Sequence, residues 1–196
     1  GIAKHIVEDK LGLLVDAGLK EILIGVQSGS RRTLEYYNRP IFREDIMKAA
    51  QIVNKFKGKL MPRYELIYSN PYEEKDDLLQ TIDLAMSLPE PFRLDSYNLV
   101  FFPGIALYNK AKEDGVIKQE EDAGYTADYF NVNYHVKKAT NMYLNNLIFW
   151  ISGTHKGWKS GKIPKFLVKL LLKDSAVKFF EKYRNFPLFL TYLYTL

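Results

Sequence analysis

Three short runs, each closed by a polar turn and followed by a helical stretch, constrain this chain more than any other feature. Glu21-Ile-Leu-Ile-Gly-Val26 is almost continuously apolar, as a strand buried on both faces would be. Tyr64-Glu-Leu-Ile-Tyr68 and Ser96-Tyr-Asn-Leu-Val-Phe-Phe102 read as a second and a third strand. Apolar residues at helical spacing predict helices over 2–17, 31–37, 43–57, 74–88 and 105–114, with Gly18, Gly58 and Gly115 placed to stop three of them. Strands that alternate with helices of this length imply crossover connections and a parallel sheet. The fold class is therefore α/β over residues 1–115. Three strands do not close a barrel, so this region is expected to be the second half of a larger α/β domain.

In parallel sheets, ligands gather at the carboxyl ends of the strands. That rule selects Gln27-Ser28-Gly29-Ser30, Ser69-Asn70-Pro71 and Pro103-Gly104 as one rim. Gln27 and Ser28 offer an amide and a hydroxyl to a sugar. Arg39, two helical turns later, offers the fixed fork that matches a carboxylate. The competing reading is an N-cap serine in an ordinary turn with a surface arginine. Glu65 is an acid inside an apolar strand. It is either a ligand acceptor on the binding face, which Ile67 shares by alternation, or half of an ion pair with Arg63 or Lys59. Glu73, Glu74, Asp76 and Asp77 read as the acidic first turn of a helix. The three histidines are scattered and suggest no metal site.

From residue 116 to 196 the strand signals vanish and the pattern is helical: 137–152, 164–172, 175–183 and 188–196, with a loop over 153–161. Residues 156–184 hold nine Lys/Arg against Asp174 and Glu181, a local charge of +7, while the whole chain carries +5. The basic character thus belongs to the tail and is no general nucleic-acid footprint. The tail reads either as an amphipathic surface that meets an anionic membrane or covers a lipophilic substrate, or as a helical layer with a solvated lysine face. No run of about 18 uninterrupted apolar residues is present, and Gly1 to Lys10 has no signal-peptide core. Cysteine is absent, which removes disulfides, thiol catalysis and thiolate-held clusters from these 196 residues and fits a reducing, cytoplasmic setting.

In order and spacing, three segments resemble one family. Gly25-Val-Gln-Ser-Gly-Ser30 with Leu34 and Asn38-Arg39 resembles the fourth-strand signature of radical S-adenosylmethionine (SAM) enzymes. Glu65-Leu-Ile-Tyr-Ser-Asn-Pro71 is similar to their fifth-strand segment, and Phe102-Pro-Gly104 with Leu107-Tyr108 to the element after the sixth. The nearest group is the Fe-S oxidoreductases that carry an N-terminal cobalamin-binding domain. The resemblance implies the C-terminal half of a partial (β/α)6 TIM-like barrel, strands four to six, followed by an all-helical extension over 116–196. It assigns Gln27, with Ser28 beside it, and Glu65 to the ribose, Arg39 to the methionyl carboxylate, and Ile67 and Val100 to the adenine. The family's CxxxCxxC motif and the [4Fe-4S] cluster it holds are absent. The threonine usual after Pro-Gly is Ile105, and the glycine usual before the strand-five proline is replaced around Ser69-Asn70.

This implies a fragment of a larger enzyme, inactive alone. Its partners would be the N-terminal part of the same protein, with its cluster and cobalamin, and a small-molecule substrate. An exposed half-barrel edge would also invite a second copy of the chain. The alternative is a stand-alone module that binds a nucleotide-like ligand or a membrane surface without catalysis.

Overall fold

A computed structural model describes residues 1–123, 141–152 and 163–183. The order begins with a 3₁₀ turn over Ala3–His5, then α1 (Glu8–Asp16), β1 (Glu21–Gln27), α2 (Arg31–Tyr36), α3 (Arg43–Asn54), β2 (Met61–Tyr68), α4 (Lys75–Ser87), β3 (Arg93–Asn98) and α5 (Ala106–Glu113). A second 3₁₀ turn over Glu120–Ala123 and helices α6 (Met142–Ser152), α7 (Lys165–Leu171) and α8 (Asp174–Lys182) complete it. The strands form one open parallel sheet in the order β1-β2-β3, with no barrel closure among the described residues.

The expected helix over 2–17 is split. Ile6 and Val7 are extended and α1 starts only at Glu8, because the first residues run along the edge of β1. There the Gly1 nitrogen donates to the Leu23 carbonyl, and Gly25 N–H donates to the Gly1 carbonyl at 3.3 Å. Two bonds that straddle Ile24 in this way are those of a parallel ladder.

The third strand is also displaced. It runs from Arg93 to Asn98 rather than from 96 to 102. The cause is charge: Arg93 and Asp95 of this edge strand pair in register with Arg63 and Glu65 of β2, so the strand's first half lacks apolar character. The apolar Leu99 and Phe101 instead join a small second core with Ala111, Ile117 and Ala123.

Alternation sorts the sheet's two faces. Ile24, Val26, Tyr64, Leu66, Tyr68 and Leu94 point to one side, where α3, α4 and α6 supply Ile46, Ala50, Val53, Leu78, Ile82, Leu144, Leu147 and Ile148. Val168 of α7 and Val177 of α8 enter the same core, so the helices after residue 141 complete the layer that α3 and α4 begin. The opposite face carries Leu23, Gly25, Arg63, Glu65, Ile67, Asp95 and Tyr97 and is the more open one. No described helix is long and apolar enough to cross a membrane.

Candidate functional site

The rim at the carboxyl ends of the strands is built from turns with unusual backbones. Gln27, the last residue of β1, has φ 63°; Asn38, after α2, has φ 52°; Ser69, after β2, has φ 62°. Left-handed backbone is costly for side-chain-bearing residues other than asparagine and aspartate. Asn38 is the ordinary case, since asparagine commonly ends a helix in this conformation. It turns the chain so that Arg39 N–H returns to the Leu34 carbonyl at 2.8 Å.

Gln27 is the unusual one. The ladder is irregular between Gly25 and Gln27, and the glutamine side chain folds back over Gly25. A Cβ at position 25 would lie 2.6 Å from the Gln27 Nε2, so glycine is the residue that leaves room for the amide. Gly25 is the register partner of Glu65, and Glu65 of Asp95. Gln27 and Glu65 are therefore brought to neighbouring strands on the open face. The Gln27 Oε1 is buried and has no hydrogen-bond partner among the described residues.

Glu65 does not pair with Arg63 or Lys59. Arg63 is held by Asp95 at 2.6 Å and Glu21 at 2.9 Å, and Lys59 lies 3.8 Å from Asp16. Glu65 faces Tyr97 instead. Partial burial, then the Glu65 charge, raises the tyrosine's pKa. Ile67 shares the face of Glu65 but packs under the second core. Val100, half-buried, lies two residues beyond β3 in the connection to α5.

Ser28 and Arg39 have other surroundings. Ser28 is fully buried, its hydroxyl between Glu73 at 3.2 Å and Thr81 at 2.9 Å while accepting from Ser30 N–H at 3.1 Å. Beside it, Gly29 N–H donates to Thr81, Ser30 donates to Asp77 at 2.6 Å, and Arg32 grips Asp77. This network ties the turn after β1 to the first turns of α4. Arg39 lines a cleft of about 350 Å³ with Ile2, Lys4, His5, Asn38, Pro40 and Ile41, and its Nε is buried with no partner among the described residues.

Three further residues have surroundings that local sequence does not show, although Ser69 lies on the selected rim and Glu73 in the acidic run. Ser69 is buried with an unpartnered hydroxyl, and its N–H donates to Asn145 of α6 at 2.6 Å, so a helix 76 residues away fixes that turn. Asn98, on the helical side of β3 and in register with Tyr68, has a buried Oδ1 with no partner among the described residues. Glu73, read as part of a helix's acidic first turn, is buried. That burial pushes its pKa up to about 7 against the opposing hydrogen bonds of Thr33 and Ser28. Its neighbour Asp77 is also disfavoured by burial, but hydrogen bonds from Arg32 and Ser30 win and hold it below the usual carboxylate range.

The chain has no cysteine, and among the described residues no group of three or more His, Asp or Glu is arranged to hold a metal ion. Compared with known proteins, it matches no family model and no curated sequence.

Proposed function

We propose that this chain supplies the adenosyl-facing wall of a radical SAM enzyme, as the C-terminal half of a partial (β/α)6 barrel. The observation that carries the reading is the Gln27 amide, folded over Gly25 beside Glu65 on the open face, with a buried oxygen that no group among the described residues satisfies. A buried acceptor without a partner costs about 1–3 kcal/mol, and a ligand that donates a hydrogen bond there offsets it. Gln27 and Glu65 together suit a vicinal diol such as a ribose. Arg39, with a free donor in a cleft lined by Lys4 and His5, suits a carboxylate. The parallel-type bonds of Gly1 to β1 support a sheet that continues past β1 with further parallel strands.

SAM fits the donors and acceptors of this wall, and when bound in such enzymes it supplies the radical that begins the chemistry. The [4Fe-4S] cluster does not fit these residues, which contain no thiolate. In this reading the cluster belongs to the N-terminal part of the same protein, as does any cobalamin, and the isolated chain is catalytically silent. Two experiments test the reading. The coding DNA upstream of Gly1 should encode a CxxxCxxC triad. Titration of the chain with S-adenosylhomocysteine should move the amide resonances of 25–30, 39 and 65–69. An open upstream frame with no such triad, or shifts confined to other residues, overturns it.

A further inference from the structure

Helices α7 and α8 each bury one valine at their centre, Val168 and Val177. At 100° per residue, the positions opposite those valines are Phe166 and Leu170 on α7, and Phe179 on α8 with Tyr183 just past its end. All four are exposed: Phe166 by 73%, Leu170 by 49%, Phe179 by 52% and Tyr183 by 49%. Lys169 and Lys173 flank the first pair, and Lys178 and Lys182 the second; all four lysines are exposed. None of them has an acidic partner among the described residues, whereas Lys165, turned toward the body, pairs with Glu90 at 3.5 Å. The two acids of these helices lie off this face. Glu181 is taken by Lys75 at 3.8 Å and Asn141 at 2.7 Å, and Asp174 occupies the first turn of α8.

A helix that merely covers a core shows solvent a polar face. Here both helices place large apolar side chains on the side away from the core and border them with cations that have no acidic partner among the described residues. Aromatic and aliphatic side chains ringed by lysine match the boundary of a lipid bilayer, where the rings enter the headgroup layer and the ammonium groups meet lipid phosphates. An acidic protein would satisfy the lysines but give Phe166 and Phe179 nothing specific. We propose that the outward face of α7 and α8 docks this protein on an anionic membrane surface, lying on the bilayer rather than crossing it. The proposal does not depend on what the strand-end rim binds.

Flotation with vesicles tests it. The chain should float with phosphatidylcholine vesicles that contain phosphatidylserine, not with pure phosphatidylcholine, and high salt should release it. Changing Lys169, Lys173, Lys178 and Lys182 together to Gln should weaken binding by roughly 600-fold, at roughly fivefold per lysine. Phe166→Ser with Phe179→Ser should weaken it at unchanged charge. Because the chain has no cysteine, a polarity-sensitive dye on Phe179→Cys is a unique label and should shift to the blue on anionic vesicles. The same dye on Lys112→Cys, exposed on α5, should not. Failure to float, flotation unaffected by either set of changes, or binding to soluble polyglutamate equal to that on vesicles with no dye shift overturns the proposal. Matching circular dichroism melts of all variants separate loss of docking from loss of fold.

Discussion

The two ends of the same three strands treat polar groups in opposite ways. At the amino end every charge on the open face finds a partner: Arg63 bridges Glu21 and Asp95, and Arg93 reaches Glu21 at 3.6 Å. At the carboxyl end the Gln27 Oε1, the Ser69 hydroxyl and the Asn98 Oδ1 are buried without partners, one beside each strand terminus. Two of the same termini also carry left-handed backbone at residues that resist it. A sheet that closes its electrostatics at one end is capable of closing them at the other. The unpartnered groups at the carboxyl end are what the proposed ligand site there would use, although the Tyr64 hydroxyl and the Asn54 Oδ1 are buried without partners among the described residues as well.

The most severe way to break the contrast is Gly29→Ala. A Cβ there would lie 2.5 Å from the Gln80 carbonyl oxygen and 2.7 Å from the Thr81 Cα, both fixed parts of α4. The turn after β1 should separate from α4 at a cost of about 3 kcal/mol, read as a lower urea midpoint.

Next in size is the proton on Glu73. Its folded pKa, near 7, lies above its unfolded value, so its stability contribution is complete below about pH 4.5 and is lost as pH rises toward 7. The loss should be about 2–3 kcal/mol across that window, and Glu73→Gln should flatten the profile there. A stability that rises through the same window in the parent, and not in the variant, would contradict the burial of this carboxyl.

Arg63→Met should cost about 1 kcal/mol, because it strands Asp95 and leaves Glu21 only its contact with Arg93 at 3.6 Å. The effect should shrink in high salt. Smallest in stability and sharpest in meaning is Gln27→Met, which removes an acceptor that no group among the described residues uses. Melting should be unchanged or raised by up to about 0.5 kcal/mol, while the ligand-induced shifts at 25–30 disappear.

The sheet that carries this contrast was legible from the chain alone; the contrast itself was not. The alternation in β2 put Glu65 and Ile67 on one face and Tyr64, Leu66 and Tyr68 on the other, as observed. The parallel sheet followed from apolar runs spaced by helices. What sequence could not reveal was cross-strand register. Arg63 had three acids within reach, and only the offset of β2 against β1 and β3 selects Glu21 and Asp95 over Glu65. Nor could local pattern show that Asn145 would reach back to Ser69, or that Glu73 would be buried, since both depend on packing between distant elements. The displaced third strand has the same origin: Asp95 looks like a loop residue until Arg63 neutralises it.

The left-handed torsions at Gln27 and Ser69 set a course for laboratory evolution. Glycine relaxes at both sites, so a library selected for heat resistance alone should accumulate it there within a few rounds. The survivors would be sturdier and would have traded away the amide and hydroxyl that distinguish this rim from an ordinary pair of turns. Selection for durability and selection for binding should thus pull in opposite directions at positions 27 and 69.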